Sequence, residues 1–529
     1  MLGNAITLSV LALTSVTSAF VQGDCVKKDA GLKWLAGKIN KSSAISCRGQ
    51  PLQLFNQGRY WGTQYGKNAS VVVFPSTKED VAFAVQAASK TKLGKEFAFV
   101  AGAHGQTNAS TATGYIIDLS WLNSTKVLKN VKVGDVTIPE AVAYQGGAKW
   151  DDIQGATAGS NYTAVGARVG SVGAGGFSTG GGIGFLAGAY GYASDRLEAV
   201  EVVLMNGKIV NATKTNQYKD LFWALQGGGG QFGIVTTFYQ KAAPEPQVCD
   251  VSFYVVSQTD LNRARQRTVT FFNTNDDPFS LMYFAAGFFP SDLGNGSFGL
   301  NTLLVTLRFD DPTNPNQKST NATFSRIIDG LNITATRSLS IPYRYMTQSI
   351  NNFFPYSFRR GFFGPQTQNI TVDYLANGTN ILNKYVSDMA AAGDVPASSF
   401  WALQYMHPGL NGNLPRKDSD TAWPHARAGH QTLFSPAWRK AEDDPIMKLA
   451  NGQLNQLTWG QQARFGERIY DYPNYISPGV KAKRVWGGNV KRLIAVKEKY
   501  DPDCRIHQGR VFATKACIKG GWANLFGDR

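Results

Sequence analysis

Short apolar runs, β-branched and aromatic, alternate with amphipathic stretches through the first half of the chain. Val71 to Phe74 is such a run. Ser76-Thr77-Lys78-Glu79 behind it has the hydroxyl-to-glutamate spacing of a capping box, which predicts an amphipathic helix through about Ser89. Phe97 to Val100 completes a strand–helix–strand unit and delivers the chain into a loop of small residues, "AGAHGQTNAS", with His104 inside it. That loop leaves the end of a strand, where open α/β layers bind ligands. "YIIDLSWL" predicts a further strand and "VAYQGGAKWDDI" a strand-to-helix turn. In "LEAVEVVLMNGKIV" two apolar runs meet at Asn206-Gly207, the signal of a two-residue hairpin. "DLFWALQGGGGQFGIVTTF" predicts a helix, a four-glycine turn from Gly227 to Gly230 and a strand.

Past "KAAPEPQ" the texture changes. From about Gln247 to Arg464 the chain is aromatic and strand-like, as in "FSLMYFAAGFFP" and "LNTLLVTLRF", which predicts a second, substrate-covering domain. From about Phe465 the chain closes on a helix in which Leu493, Ile494 and Val496 recur at helical spacing, leading into "YDPDC".

A chain of 529 residues divides into two or three domains. With 43% hydrophobic and 17% charged residues it is an ordered globular protein. The net charge of +16 raises nucleic acid as a partner. Its densest run, "KAKRVWGGNVKRLIAVKEKY", however, reads as the solvated face of the last helix, so no nucleic acid is expected. "MLGNAITLSVLALTSVTSA" has an apolar run of signal-peptide length ahead of Thr17-Ser18-Ala19, which predicts a signal peptide over residues 1–19 and a secreted protein. No later run reaches the roughly 18 apolar residues of a membrane span, so no membrane partner is expected. Eleven Asn-x-Ser/Thr sequons agree with a secretory route. Five cysteines permit disulfides there, Cys25 with Cys47 as the first expectation, and the odd count leaves at least one unpaired. No C-x-x-C occurs among the five cysteines, and only five histidines are scattered along the chain, so no metal site is expected.

The glycine-dense tract Val165 to Gly191 holds eleven glycines in twenty-seven residues. Gly173 to Ser178 ends in serine where G-x-G-x-x-G requires glycine, and no convincing helix follows, which argues against a nicotinamide-binding Rossmann unit. No phosphate-binding G-x-x-x-x-G-K-[ST] occurs either. Two readings remain: backbone brought close to a phosphate or flat ring, or glycine turns packed tightly on one another.

Together these stretches resemble the berberine bridge enzyme-like FAD-linked oxidoreductases, within the vanillyl-alcohol oxidase/PCMH group of flavoproteins. "ASVVVFPSTKEDVAFAV" is similar to the family's first strand and helix, "VAGAHGQTN" to its Gly-Gly-His-Ser pyrophosphate loop, and "SVGAGGFSTGGGIG" to its second glycine segment. "DLFWALQGGGGQFGIVTTF" is similar to its most recognisable stretch, and "YPNY" with "WGGNVKRLIAVKEKYDPD" to its C-terminal return to the flavin. The resemblance implies an α+β fold. A two-subdomain PCMH-type FAD-binding domain would span 66–245, after an N-terminal segment, 20–65. A substrate domain with a mainly antiparallel sheet covered by helices would span 246–464, and a berberine-bridge-like segment, 465–529, would return to the FAD domain.

The resemblance also implies FAD carried on a single covalent bond from His104 to its 8α carbon. Gly102, Ala103, Gly105 and Gln106 would hold the pyrophosphate, and Gly170, Ser171, Val172, Gly175 and Gly176 would line the isoalloxazine edge. Ile234 and Val235 would lie along the adenosine, and Asn474 and Asn489 would reach the flavin from the C-terminal segment. Val172 would sit near the carbon where oxygen reacts. Three positions depart from the family: the first loop reads Gly-Ala-His-Gly, with Ala103 and Gly105 in place of glycine and serine, and Val169 stands where bicovalent members carry a second, cysteine link. Tyr472 and Tyr475 are the candidate bases, although an ordinary tyrosine has a pKa near 10. His407 and His425 read as structural, and "FFPYSFRRGFF" as core or pocket wall.

The implied activity is that of a secreted, monomeric FAD-dependent oxidase. It would move a hydride from a small organic substrate, an alcohol, amine or secondary metabolite, to flavin N5, with O2 as the second substrate and H2O2 as product. A carbohydrate oxidase, a flavin-dependent cyclase without net redox, and a binding protein that has lost the flavin are the alternatives. A loop that grips pyrophosphate would also leave Asn108 too enclosed for a glycan.

Overall fold

The computed structural model describes residues 23–288, 300–394, 398–427 and 429–522; the signal peptide expected over 1–19 lies outside the described residues. Three sheets organise it. The first has the strand order Ala44–Cys47, Val71–Phe74, Tyr115–Asp118, Phe97–Val100, with the last three mutually parallel. Its strands are apolar on both faces, as a sheet covered on both sides requires. Helix Lys78–Lys90 packs Val81, Ala84 and Val85 into this core. Its cap is Thr77, whose hydroxyl accepts the Asp80 N–H at 3.1 Å, one residue later than the Ser76 box predicts. Ser76 instead hydrogen-bonds the Asp80 carboxylate at 3.3 Å.

The second sheet is antiparallel, in the order Thr125–Val133, Val136–Gln145, Ile234–Lys241, Leu197–Val203, Ile209–Thr213. The hairpin between its last two strands has a three-residue loop, Met205 to Gly207, rather than the two-residue turn predicted. The Gly207 N–H donates to Leu204 O at 2.8 Å, and Leu204 N–H to Lys208 O at 2.9 Å. Gly207 alone takes the left-handed conformation, φ +85°, whereas a two-residue Asn-Gly turn needs it at both positions.

The third sheet has seven antiparallel strands, in the order Ile333–Pro342, Val248–Val256, Leu300–Phe309, Ser280–Phe288, Phe400–Gln404, His430–Ser435, Gln366–Thr367. Alternate residues divide between two faces. Phe284, Leu304, Trp401, Leu403 and Phe434 join a core with helices Leu261–Thr274, Thr320–Ile328, Val372–Ala391 and Asp444–Arg464. Tyr283, Ala285, Val305, Ala402 and Leu433 point the other way, into a cavity. The fold is α+β.

Helix Val490–Tyr500 lays Leu493 and Val496 on the second sheet's core. One cation of its basic run is not solvated: Lys497 is fully buried and donates to Asp501 Oδ2, Gln231 O and Ile506 O. Cys25 pairs with Cys47, Cys504 with Cys517, and Cys249 is free and buried. Among the described residues no helix is long and apolar enough to cross a membrane.

Candidate active site

A cavity of about 430 Å³ lies between the three sheets. Its floor is backbone. The loop after strand Phe97–Val100 meets the glycine tract at Gly102 and Gly173, so closely that a Cβ on Gly102 would lie 2.1 Å from Gly173 N, and one on Gly173 2.2 Å from Gly102 N. No side chain fits between two such peptides. Gly228 to Gln231 and Pro473-Asn474 continue the floor, with Ile506, Gln508 and Arg510 at one end. The glycine tract does contain a helix, Ala174–Thr179, opening at Gly173. At six residues it is too short to display an apolar period, which is why the sequence hides it.

His104 projects from this floor. Ala103 before it sits at φ +58°, a left-handed conformation in which glycine, the family's residue, is unstrained. The His104 ring stacks on Trp61, centroids 5.2 Å apart and planes 14° apart. Its Nε2 hydrogen-bonds Ser171 Oγ at 3.0 Å and Tyr356 OH at 3.3 Å, and among the described residues Nδ1 has no hydrogen-bond partner. Burial, then the positive charges of Lys149, Arg59 and Arg360, push its pKa down to about 3, so the ring is neutral. Arg360 backs Trp61, with its guanidinium carbon 5.3 Å from the Trp61 centroid. It is fully buried, and its guanidinium nitrogens have no hydrogen-bond partner among the described residues.

Arg168 and Tyr475 meet in the wall of the cavity. Arg168 is 7% exposed; its Nη2 donates to Tyr475 OH and its Nη1 to Tyr283 OH at 3.4 Å. No carboxylate pairs with it among the described residues. Tyr475 packs on Phe362 at 4.7 Å and Tyr472 at 4.8 Å between centroids. Tyr472 is differently placed. Its oxygen receives the N–H groups of Gly182 at 3.1 Å and Ile183 at 3.0 Å and the Asn474 amide at 2.9 Å, and burial pushes its pKa well above 10. Tyr472 therefore braces the glycine turn, and Tyr475 is the phenol beside a cation.

The cavity brings together Gly102, Ala103, His104, Gly105, Gln106, Val172, Gly175, Gly176, Val235, Tyr472, Asn474 and Tyr475 of the residues expected there. Ser171 does not line it but holds His104. Further expectations are corrected. Gly170 turns away, its N–H donating to Asn351 Oδ1 at 3.1 Å, and a Cβ there would strike the Asp151 carboxylate. Ile234 lies in the first sheet's core, because strand residues alternate and Val235 takes the cavity face. Asn489 spends its amide on the carbonyls of Asp418, Thr421 and Ala422, at 2.8 to 3.2 Å, and so fixes a loop rather than touching the cavity. Asn108 is exposed although Thr107 and Ala109 line the cavity, so the loop borders the cavity without enclosing that side chain, contrary to expectation. His425 is held by Asp195 at 2.8 Å and the Trp423 carbonyl at 2.7 Å, away from the cavity. His407 does not line it either.

Sequence reasoning missed Trp61, Tyr283 and Arg168. Arg168 did carry a signal: it is the one charged residue in the glycine tract between Val165 and Gly191. Trp61 and Tyr283 carry none, because each enters the site by folding across more than forty residues from His104 or Arg168.

The donor set suits a large dinucleotide cofactor: a glycine cradle that any Cβ would fill, backbone for a pyrophosphate, and a neutral imidazole aimed into the cleft. Comparisons agree. Residues 69–213 match the family described as FAD binding domain, and residues 471–504 the family described as berberine and berberine like. An FAD-dependent monooxygenase, drtC, of Aspergillus calidoustus is 27% identical over 459 residues, 84% of this chain and 82% of that one. The solved chitooligosaccharide oxidase is 18% identical with a TM-score of 0.70, covering 90% of this chain and 98% of that one. The oxidoreductase GilR, solved with pregilvocarcin, is 18% identical with a TM-score of 0.71, covering 89% and 99%. A glycine-walled cradle, an FAD-binding match and a berberine-like C-terminal match thus stand in one chain, an FAD-linked oxidoreductase similar to the berberine bridge enzyme-like enzymes.

Proposed function

We propose that the chain is a secreted oxidase that carries FAD on a covalent bond from His104 and removes a hydride from a carbon bearing an oxygen or nitrogen. The observation that carries this reading is the pairing of Arg168 with Tyr475 above a cradle that presents a neutral histidine. Bound FAD supplies a two-electron acceptor whose electrons pass on to O2, giving H2O2.

The chain's own residues supply the rest. Nε2 of His104 is held by Ser171 and Tyr356, which leaves Nδ1 as the nucleophilic nitrogen. Neutrality keeps its lone pair available for the bond. The Tyr475 oxygen, which accepts a hydrogen bond from the buried Arg168 guanidinium and lines the cavity, is the group placed to take the proton of the substrate hydroxyl or amine as the C–H bond breaks. Phe362, Phe400 and Phe354 around Tyr475 keep water out. Val172 lines the cavity, and on this reading O2 would approach beside it. The predicted signal peptide and two disulfides support secretion.

The neighbours include an oligosaccharide oxidase and an enzyme of gilvocarcin biosynthesis, so likeness alone does not choose a substrate. Acid precipitation tests the covalent bond: yellow colour stays with the polypeptide and is lost to the supernatant in His104→Ala. Free flavin from the unaltered protein overturns the bond. Turnover without peroxide overturns the oxidase and favours a cyclase or monooxygenase.

A further inference from the structure

Strand alternation divides the third sheet so that one face packs on helices and the other roofs the cavity. The roof is almost free of polar atoms. Val251, Phe253, Ala285, Val305, Leu307 and Ala402 line it, and Tyr283 is the one polar side chain that these strands contribute among the described residues. Ala285 and Ala402 are register partners on neighbouring strands, so the roof has a shallow recess where two small side chains adjoin. Aromatic rings border that recess. Phe362 and Phe400 lie 6.1 Å apart, Phe354 and Phe400 5.9 Å apart, and Phe362 meets Tyr475. At the same end Arg168, buried and without a carboxylate, gives the two phenols only part of its donor set.

These two facts select a substrate class. A sugar carries a hydroxyl on nearly every carbon, and each hydroxyl enclosed by this roof without a partner weakens binding about tenfold or more. A ring system gains in the same place, because its faces meet apolar and aromatic surface. The spare donors of Arg168 at the roof then ask for one negative or phenolic oxygen. Building on the oxidase reading, we propose that the substrate is a flat, largely apolar aromatic molecule bearing a single carboxylate or phenolic oxygen received by Arg168, and that oligosaccharides are excluded.

Titration calorimetry on the isolated protein tests this without turnover. The probes are 2-naphthoate, its neutral analogue 2-naphthamide, and diacetylchitobiose. Naphthoate binds at least about tenfold more tightly than the amide, a margin typical of a charge-assisted hydrogen bond, and the disaccharide gives no heat at millimolar concentration. In Arg168→Met the two naphthalenes bind alike. Equal affinities for the pair in the unaltered protein overturn the proposal even if that variant does not fold, and so does sugar binding as tight as naphthoate. Binding in this pattern with no peroxide from any aromatic alcohol would sink the oxidase reading and leave the recognition standing.

Discussion

The floor and the roof of the cavity are built from different materials. The floor is peptide backbone, bared by glycines at Gly102, Gly173, Gly175 and Gly228 to Gly230. The roof is side chain, a row of strand residues alternating between the cavity and the helical core. Backbone offers fixed dipoles and one shape, which suits a ligand that never changes. Side chains can be exchanged without disturbing the sheet, which suits a ligand that differs from one relative to the next.

That contrast can be broken most directly at the floor. Gly173→Ala sets a methyl 2.2 Å from Gly102 N, and the purified protein should hold less than about a tenth of the flavin of the unaltered chain, read by absorbance per polypeptide. A full complement of flavin would mean that the floor can yield. At the rim between the halves, Tyr475→Phe should lower kcat about 100-fold with flavin content unchanged. A small change in kcat would remove Tyr475 from the proton transfer. In the roof, Phe400→Ala should keep the flavin and raise KM about tenfold, since it takes one ring out of the apolar wall around the substrate. Loss of flavin there would erase the distinction between the halves.

Two smaller effects sharpen it. Tyr472→Phe leaves three buried donors, from Gly182, Ile183 and Asn474, without their acceptor. It should cost about 1–3 kcal/mol of stability in denaturant unfolding while changing kcat far less than Tyr475→Phe. Asp471, next to it, has its carboxyl raised from 3.8 to about 6, chiefly by burial and against the pull of Arg484. The folded chain therefore holds this proton more tightly than the unfolded one. Its contribution to stability is full below pH 3.8 and is lost as pH rises through about 6. Asp471→Asn should accordingly gain stability relative to the unaltered protein across that interval and show a constant difference above it. A difference that shrinks as pH rises would contradict the sign.

The two halves also differ in how much of them the sequence discloses. Glycine is conspicuous in a string of letters, so the His104 loop, the tract around Gly173 and the turn at Gly227 to Gly230 could be placed before any coordinates. The strands Val71–Phe74 and Phe97–Val100 were equally plain, because each is apolar on nearly every residue and short. The roof is opaque for a converse reason. A strand such as Ser280–Phe288, apolar on both faces, looks the same whether one face meets helices or a ligand. The errors were errors of one residue or one partner. Ile234 and Val235 are adjacent and equally apolar, and only the pleat decides which faces inward. Asn489 has the chemistry of a flavin contact but lies beside three carbonyls that claim it. Arg168 was visible as a charge among glycines, but the phenols that give it meaning lie 115 and 307 residues away.

The bond between Cys504 and Cys517 encircles the segment that supplies Ile506, Gln508 and Arg510 to one end of the cavity. With both thiols reduced, that segment would keep its hydrogen bonds, such as Arg510 to Pro473 O and Phe512 N–H to Gln231, but lose its covalent tie. Oxidation of the pair thus makes the vessel as well as the chain durable. An oxidising environment therefore favours the finished form of this end of the cavity.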